Sequence, residues 1–124
     1  MRFLSFEAHG QAGIGWVKDI HTTDFVNLSL AAPELPRNLK DLICTPGGLA
    51  AANAAALKAP ASTVQTMASV TMLPLIPNPG KIVCMGLNYA DHAKEGGNAR
   101  PEYPSFFLRG NSSMVGHNLS LIHI

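Results

Sequence analysis

The sequence predicts an α+β protein with a small β-rich N-terminal domain over residues 1–75 and the start of a second domain over residues 76–124. Three observations support this fold class. Short segments with alternating apolar residues fill much of the N-terminal part, an alanine-rich segment interrupts them, and a proline-rich stretch divides the chain. A chain of 124 residues can form one ordinary domain, or a small domain and the opening of another.

The N-terminal strands are predicted to form an antiparallel meander. Residues 2–7 alternate loosely between apolar and polar side chains, and residues 13–18 follow a glycine-rich turn, as expected for a β-hairpin. Residues 25–30 supply a third short strand with alternating apolar positions. Residues 69–73 contain the β-branched side chains typical of a further strand.

Two helices are expected between these strands. Asn38 is suited to cap a helix over residues 39–44, because its side chain can accept a hydrogen bond from an exposed backbone N–H group. Residues 49–58 are rich in alanine, which has the highest intrinsic helix propensity. Leu49 and Leu57 are the only large apolar side chains that this second helix offers to packing.

The proline-rich segment at residues 74–80 predicts the domain boundary, because its three prolines and one glycine stop regular structure. Beyond it we expect a strand over residues 81–85, a short helix over 89–95 and a strand over 105–109. The chain ends inside an apolar stretch at residues 119–124 without a cap or polar tail, and we expect it to be a fragment.

Composition argues against several function classes. The formal net charge is +1 and the basic residues are scattered, so a nucleic-acid partner is not expected. No apolar run approaches the ~20 residues needed to span a bilayer, and the N-terminus does not resemble a signal peptide. We therefore expect a cytoplasmic protein without a membrane partner. Cys44 and Cys84 form no Cys-x-x-Cys pair and are expected to be reduced thiols in the core.

His92 and Glu95 are the candidate catalytic pair. They stand at positions i and i+3 of the predicted helix, just past the end of a predicted strand. Glu95 can therefore orient the imidazole and raise its basicity, and such a pair can deprotonate water or a substrate carbon. On spacing alone, an ordinary solvent-exposed pair is an open alternative.

Neighbouring residues extend this candidate site. Asn88 and Asp91 frame the helix start, where either can act as a cap. Gly86 permits either close substrate approach or a simple backbone turn. Arg109 ends a predicted apolar strand and suits a carboxylate, although an ordinary surface arginine is the alternative. The chain contains no Glu-x-Glu pair and no His-Glu-x-x-His arrangement, so no metal ligand is predicted within it.

Residues 81–95 (KIVCMGLNYADHAKE) and 101–110 (PEYPSFFLRG) resemble the beginning of the catalytic domain of the fumarylacetoacetate hydrolase family. The Gly-x-Asn-Tyr-x-x-His-x-x-Glu core and the downstream Pro-x-Phe-Phe-x-Lys/Arg strand carry the resemblance. It implies a mixed β-roll catalytic domain, a homodimer, a 2-oxo acid or β-dicarbonyl substrate, and Mg²⁺ or Mn²⁺ as cofactor. The implied reactions are carbon–carbon bond hydrolysis, decarboxylation or isomerisation in aromatic or keto-acid catabolism.

The resemblance also assigns roles to single residues. It implies His92 as general base and Glu95 as its orienter and proton relay. Arg109 stands where members have lysine or arginine near the substrate, and Asn88 and Tyr89 would line the same mouth. Leu87 departs from members that have an arginine at that position.

The family's acidic metal ligands are expected beyond Ile124, so this chain alone is expected to be inactive. The alternative is a non-catalytic truncated domain that binds or oligomerises through its N-terminal meander and exposed strand edges. The sequence at residues 120–124 differs from the usual continuation of the family, and His123 receives no role.

Overall fold

The computed structural model describes residues 2–99 and 101–120, which fold into two compact units. The first unit comprises residues 2–77 together with 114–120, and the second comprises residues 78–113. Helices are combined with antiparallel sheets, in agreement with the predicted α+β class. The interpretation of residues 76–124 as the start of a catalytic domain stays a prediction.

Five antiparallel strands form the sheet of the first unit. They are β1 (Arg2–Ala8), β2 (Gln11–Val17), β3 (Asp24–Asn27), β4 (Val64–Thr66) and β5 (Thr71–Leu73). Their order across the sheet is β4-β3-β2-β1-β5. The first three strands form the predicted meander, and β5 confirms the strand predicted from residue 69 although it starts two residues later.

A two-residue turn made by His9 and Gly10 joins β1 to β2. Both residues have positive φ, 52° and 73°, as in a type I′ turn, whose twist suits a β-hairpin. Ala8 pairs with Gln11, and the pairing continues along the whole of β1. The tight turn therefore determines which face of the sheet each hairpin side chain occupies.

Two hydrophobic clusters stabilise the first unit, one on each face of the sheet. The cluster on the helix side contains Ile14, Trp16, Val26, Leu28, Leu39, Leu42, Ala52 and Ala56. The cluster on the opposite face contains Leu4, Phe6, Val17 and Phe25. Because each large apolar side chain contributes roughly 1.5–3 kcal/mol when fully buried, these clusters supply the main driving force for folding of this unit.

Gly15, in the middle of β2, makes room for the second cluster. A Cβ atom there would collide with the ring of Phe25 and lie 2.7 Å from the side chain of Leu4. The Phe25 ring also packs against Phe6, with the ring centroids 5.0 Å apart and the planes tilted by 49°. The sheet therefore needs a glycine at this position, because the side chains of Phe25 and Leu4 pack directly against it.

Three helices contribute to the cluster on the helix side: α1 (Leu28–Ala31), α2 (Leu39–Cys44) and α3 (Gly48–Leu57). Asn38 caps α2 as predicted, since its Oδ1 accepts a hydrogen bond from the Asp41 N–H at 2.9 Å. The strand predicted over residues 25–30 is wrong in its second half. The Asn27 side chain accepts from the Ser29 N–H at 2.9 Å and starts α1, a local bond that competes with strand pairing.

Small residues make the packing surface of α3. Ala52 and Ala56 are buried one turn apart, whereas Leu57 is 66% exposed and Leu49 only partly buried. The Trp16 Nε1–H donates to Asn53 Oδ1 at 3.0 Å and links the helix to β2. The expectation that Leu57 supplies packing is therefore wrong, because short alanine side chains form the buried contact.

The second unit is built on a two-stranded antiparallel sheet. β6 (Ile82–Gly86) pairs with β7 (Ser105–Arg109), and α4 (Ala90–Glu95) follows β6. The three elements confirm the predicted strand, helix and strand, with β6 shifted by one residue and α4 beginning one residue later. A short 3₁₀ helix, Asn111–Ser113, follows β7.

A hydrogen bond from Ser5 holds the segment directly after β5: the Ser5 Oγ donates to the Leu75 carbonyl at 2.7 Å. Gly116 is buried, and a Cβ there would collide with the Met72 carbonyl oxygen. Of the apolar stretch at residues 119–124, residues 119–120 belong to no regular element, and residues 121–124, with His123, lie outside the described residues. Among the described residues, no helix combines the length and apolarity needed to cross a membrane.

Candidate functional site

The turn from β6 into α4 positions the candidate catalytic pair. Gly86 ends β6 opposite Ser105, and a Cβ at Gly86 would lie 2.8 Å from Ser105 Oγ. A structural role therefore explains this glycine, because any larger residue here would require the Ser105 side chain to move. Leu87 follows with φ 49°, in the left-handed region that leucine rarely adopts. Sequence reasoning missed this conformation, because leucine carries no signal for it.

The C-terminal end of α4 is defined by a Schellman motif. The N–H of Asn98 donates to the Ala93 carbonyl at 2.8 Å, and the N–H of Gly97 donates to the Lys94 carbonyl at 3.1 Å. Gly97 has φ 66°, the left-handed conformation that this motif requires at its C′ position. The motif ends the helix directly after Glu95, so Glu95 lies in its last turn.

His92 and Glu95 lie one helical turn apart on α4, and both are exposed. Side chains at i and i+3 have Cβ atoms about 5–6 Å apart, so the two groups can approach each other. In the described part of the chain, no hydrogen bond or ion pair joins them. Their assignment as a catalytic dyad stays a prediction. Both side chains are open to a ligand.

Asn88 and Tyr89 precede α4 and are both exposed. Tyr89 is the N-cap residue, and no side chain makes a capping hydrogen bond there. The prediction that Asn88 or Asp91 caps this helix is therefore wrong, because Asn88 lies one residue before the cap and Asp91 lies inside the first turn. The Asn88 amide and the Tyr89 hydroxyl, with the ring 74% exposed, are accordingly accessible to a ligand.

Arg109 lies at the far end of the sheet from this turn. It pairs with Ile82, whereas the turn into α4 begins at Gly86, four residues further along the strand. At about 3.3 Å per residue, the two ends are about 13 Å apart. The Arg109 guanidinium carbon lies 5.7 Å from the centroid of the Phe107 ring, a cation–π contact on an exposed strand. This contact holds the positive charge at the strand end while leaving it accessible.

The remaining chemistry-bearing side chains do not enlarge this site. The described residues contain no group of three or more His, Cys, Asp or Glu that could hold a metal ion, so they do not by themselves fit a Mg²⁺ or Mn²⁺ site. His9, His21 and His117 are exposed. Cys44 is exposed at the end of α2 and Cys84 is only partly buried, so the expectation of two core thiols is wrong for Cys44.

A histidine and a glutamate one turn apart on an exposed helix define a candidate acid–base site on an α+β scaffold. Comparisons with known proteins identify the family. No protein-family model matches the chain. The mitochondrial oxaloacetate tautomerase Fahd2a of Rattus norvegicus is 33% identical over an alignment of 131 residues, which covers 98% of this chain and 39% of the relative.

Two further relatives agree with this similarity. The mitochondrial oxaloacetate tautomerase FAHD2A of Homo sapiens is 33% identical over 91 residues, covering 73% of this chain and 29% of the relative. The fumarylacetoacetate hydrolase domain-containing protein 2 homolog of Dictyostelium discoideum is 46% identical over 44 residues, covering 36% of this chain and 14% of the relative. The chain belongs to the fumarylacetoacetate hydrolase family, and it spans 39% of the length of the rat relative.

Proposed function

We propose that this chain is part of a fumarylacetoacetate hydrolase family enzyme that acts on 2-oxo acids or related β-dicarbonyl compounds. The observation that carries the proposal is the alignment of 98% of the chain with a relative named as an oxaloacetate tautomerase. Keto–enol isomerisation is therefore the first reaction to test. Carbon–carbon bond hydrolysis and decarboxylation, in aromatic or keto-acid catabolism, are the other reactions that the family resemblance implies.

In the proposed reaction, His92 acts as general base. Its neutral imidazole removes a proton from the carbon next to the 2-oxo group, which leaves an enolate and an imidazolium. Returning that proton to the enolate oxygen gives the enol, so the reaction needs no net acid or base. Glu95, one turn away on α4, orients the imidazole and stabilises its charged form.

The proposed substrate contacts come from exposed polar groups. Arg109 would bind a substrate carboxylate, for which a guanidinium offers two parallel N–H donors. Asn88 and Tyr89 would hydrogen-bond the oxo or carboxylate oxygens at the mouth of the site. Their exposure supports this role, because none of the three side chains is covered by protein in the described residues.

The proposal extends to a cofactor, a fold and an assembly. We expect Mg²⁺ or Mn²⁺, bound by acidic residues outside this chain, to stabilise negative charge on the substrate oxygen. The family's mixed β-roll would be completed by further strands that cover β6 and β7. We also expect a homodimer in the cytoplasm.

The test measures oxaloacetate enolisation by the product of the complete reading frame, followed by the ultraviolet absorbance of the enol. His92→Gln should lower kcat by about 10²-fold or more, since general-base catalysis contributes 10²–10⁴-fold. Glu95→Gln should lower it by about tenfold, because the amide can hydrogen-bond the imidazole but cannot stabilise its charge. His21→Gln, which changes an exposed histidine of the first unit, is the matched control.

The same assay tests the cofactor. EDTA should abolish turnover, and added Mg²⁺ or Mn²⁺ should restore it. Full activity of His92→Gln, with the control also fully active, would contradict the assigned base. Turnover unaffected by EDTA would contradict only the cofactor.

The second candidate function is a non-catalytic domain that associates through exposed strands. One face of the second sheet favours it, since its four apolar side chains are between 47% and 71% exposed. We name this surface the apolar face, and it consists of Val83, Met85, Phe106 and Leu108.

Sedimentation velocity separates the two candidates. If the chain associates through the apolar face, the double variant Phe106→Ser, Leu108→Ser should shift the population to monomer. Tyr103→Ser removes an aromatic ring that is 80% exposed outside the strands, and it should leave association unchanged. Association without turnover of any 2-oxo acid would support the non-catalytic candidate.

A further inference from the structure

A cavity of about 390 Å³ lies entirely within the first unit. This volume falls in the range of small-molecule sites. Its wall is formed by the β1–β2 hairpin, the start of α1, the loop before α2 and β4. The lining residues are Phe6, Ala8, His9, Gln11, Ala12, Gly13, Asn27, Ser29, Leu30, Arg37 and Gln65.

The charge of this lining has one sign. Arg37 supplies a permanent positive charge, His9 adds an imidazole, and no aspartate or glutamate lines the cavity. A second cavity of about 320 Å³ in the same unit differs in this respect, because Asp19 and Asp24 accompany Lys18 in its lining. The first cavity is therefore the one suited to an anion.

One polar atom in the lining has no partner. The Oγ atom of Ser29 is buried and makes no hydrogen bond in the structure. A buried hydroxyl without a partner costs about 1–3 kcal/mol, so turning the Ser29 side chain towards a ligand oxygen in the cavity would remove this cost.

The neighbouring amides are already oriented. Asn27 Oδ1 accepts from the Ser29 N–H at 2.9 Å, and Asn27 Nδ2 donates to Gln65 Oε1 at 3.1 Å. These two bonds assign the amide atoms of both residues. Nε2 is the Gln65 amide atom that this network does not use, and it is a donor. Asn27 is itself buried, with 7% of its surface exposed, so the network is held rigidly at the wall of the cavity.

An apolar surface lies beside these polar groups. Phe6 is 2% exposed and its ring lies close to Gly13, where a Cβ would come within 2.8 Å of the ring and 3.2 Å of Ser29 Oγ. Phe6 therefore closes the base of the cavity, and its accessible apolar lining comes from Ala8, Ala12 and Leu30, of which Leu30 is 56% exposed. A ligand that fits must therefore combine a charged end with a short apolar body.

We propose that this cavity is a binding site for a small organic carboxylate. The carboxylate binds the Arg37 guanidinium, and the apolar body packs against Leu30 and Ala12. The Ser29 hydroxyl and the Gln65 Nε2 hydrogen-bond the remaining oxygen atoms. This site uses none of the residues of the proposed catalytic site, and its existence does not depend on the proposed activity.

The experiment follows backbone ¹H–¹⁵N resonances of the ¹⁵N-labelled protein during titration with butyrate. Gly13, Ser29 and Gln65 should shift together along one saturable curve. Butyramide has almost the same shape without the charge, and its binding should be weaker by about tenfold or more, because a charge-assisted bond to arginine is lost. Inorganic phosphate, which has the charge without the apolar body, should also bind more weakly than butyrate.

Two variants connect the binding to the named groups. Arg37→Gln, an exposed loop substitution, should weaken butyrate binding by about tenfold. Ser29→Ala should weaken it several-fold while leaving the Asn27 cap in place, because the cap uses the backbone N–H of residue 29. Lys18→Gln, which removes a positive charge from the other cavity, should leave butyrate binding unchanged.

The proposal is overturned if butyrate and butyramide produce equal shifts, or if Arg37→Gln binds butyrate as tightly as the unchanged protein. Equal binding of phosphate and butyrate would reduce the site to a simple anion site and would also overturn it. An absence of saturable shifts at Gly13, Ser29 and Gln65 up to solubility-limited butyrate concentrations has the same consequence.

Discussion

The two units of this protein differ most in how they bury apolar side chains. Among the described residues, every buried apolar side chain except Ala93 lies in the first unit. In the second unit all of β7 is exposed, including Phe106 and Leu108 at 61% and 71%. The first unit therefore has a core on each face of its sheet, whereas the second presents a two-stranded sheet with little to stabilise it.

This difference separates what each unit can do. A five-stranded sheet covered by helices can be stable by itself, but an isolated two-stranded hairpin is marginal in water. The candidate catalytic residues lie in the less stabilised unit, on α4 and at the end of β7. Burial of the exposed sheet is thus a condition for holding these candidate residues rigidly.

Two matched phenylalanine substitutions give the largest expected difference. Phe25→Ala removes a ring that is 2% exposed and should lower the free energy of unfolding of the first unit by about 3–5 kcal/mol. Phe106→Ala removes a ring that is 61% exposed and should change that free energy of unfolding by less than about 0.5 kcal/mol. Urea unfolding followed by fluorescence of Trp16, the single tryptophan, measures both. Equal losses would mean that the apolar face is covered in solution.

Amide hydrogen exchange compares the units strand by strand. Amides in the paired region of β1 and β2 should exchange at least about 10²-fold more slowly than those of β6 and β7. Separating β6 from β7 exposes little further apolar surface, so this pair should open more often. Mass spectrometry of peptic fragments resolves the two regions. Equal protection would contradict the view that the second unit lacks a core.

Two asparagines next to helices provide the smallest and sharpest contrast. Asn38→Ala removes a side chain that accepts from the Asp41 N–H and should destabilise the first unit by about 1 kcal/mol. Asn88→Ala removes no capping bond, since α4 has none, and should leave stability unchanged. Thermal unfolding by circular dichroism measures both. A loss at Asn88 equal to that at Asn38 would show a cap on α4 in solution.

Local signals accounted for most of the elements. The alternation in β1 and β2, the cap at Asn38 and the apolar segment of β7 each depend on neighbouring residues, so they could be recognised from the chain. The strand predicted through Leu30 failed at Asn27, where a side-chain bond to the backbone favours a helical turn over strand pairing. The exposure of Leu57 and Cys44 also could not be read from composition, because burial depends on which face meets the sheet.

The helix that carries the candidate residues was predictable, and the geometry around it was not. The spacing of His92 and Glu95 puts them one turn apart on any helix, and α4 includes both residues. The distance of Arg109 from the turn into α4 follows from the register of β6 against β7, which no local pattern specifies. The left-handed backbone of Leu87 likewise gave no sign in the sequence.

By itself, the sequence determined most of the strands and helices, the place of the proline-rich segment and the family, because these depend on short-range propensity and on matching residues, whereas α1 and β4 were not predicted. Only the tertiary structure decided which side chains are buried, where the cavity beside Arg37 lies, and that the Oγ of Ser29 has no partner. Those features arise from contacts between residues far apart in the chain, such as Asn27 with Gln65, and long-range pairing is set by packing rather than by local preference.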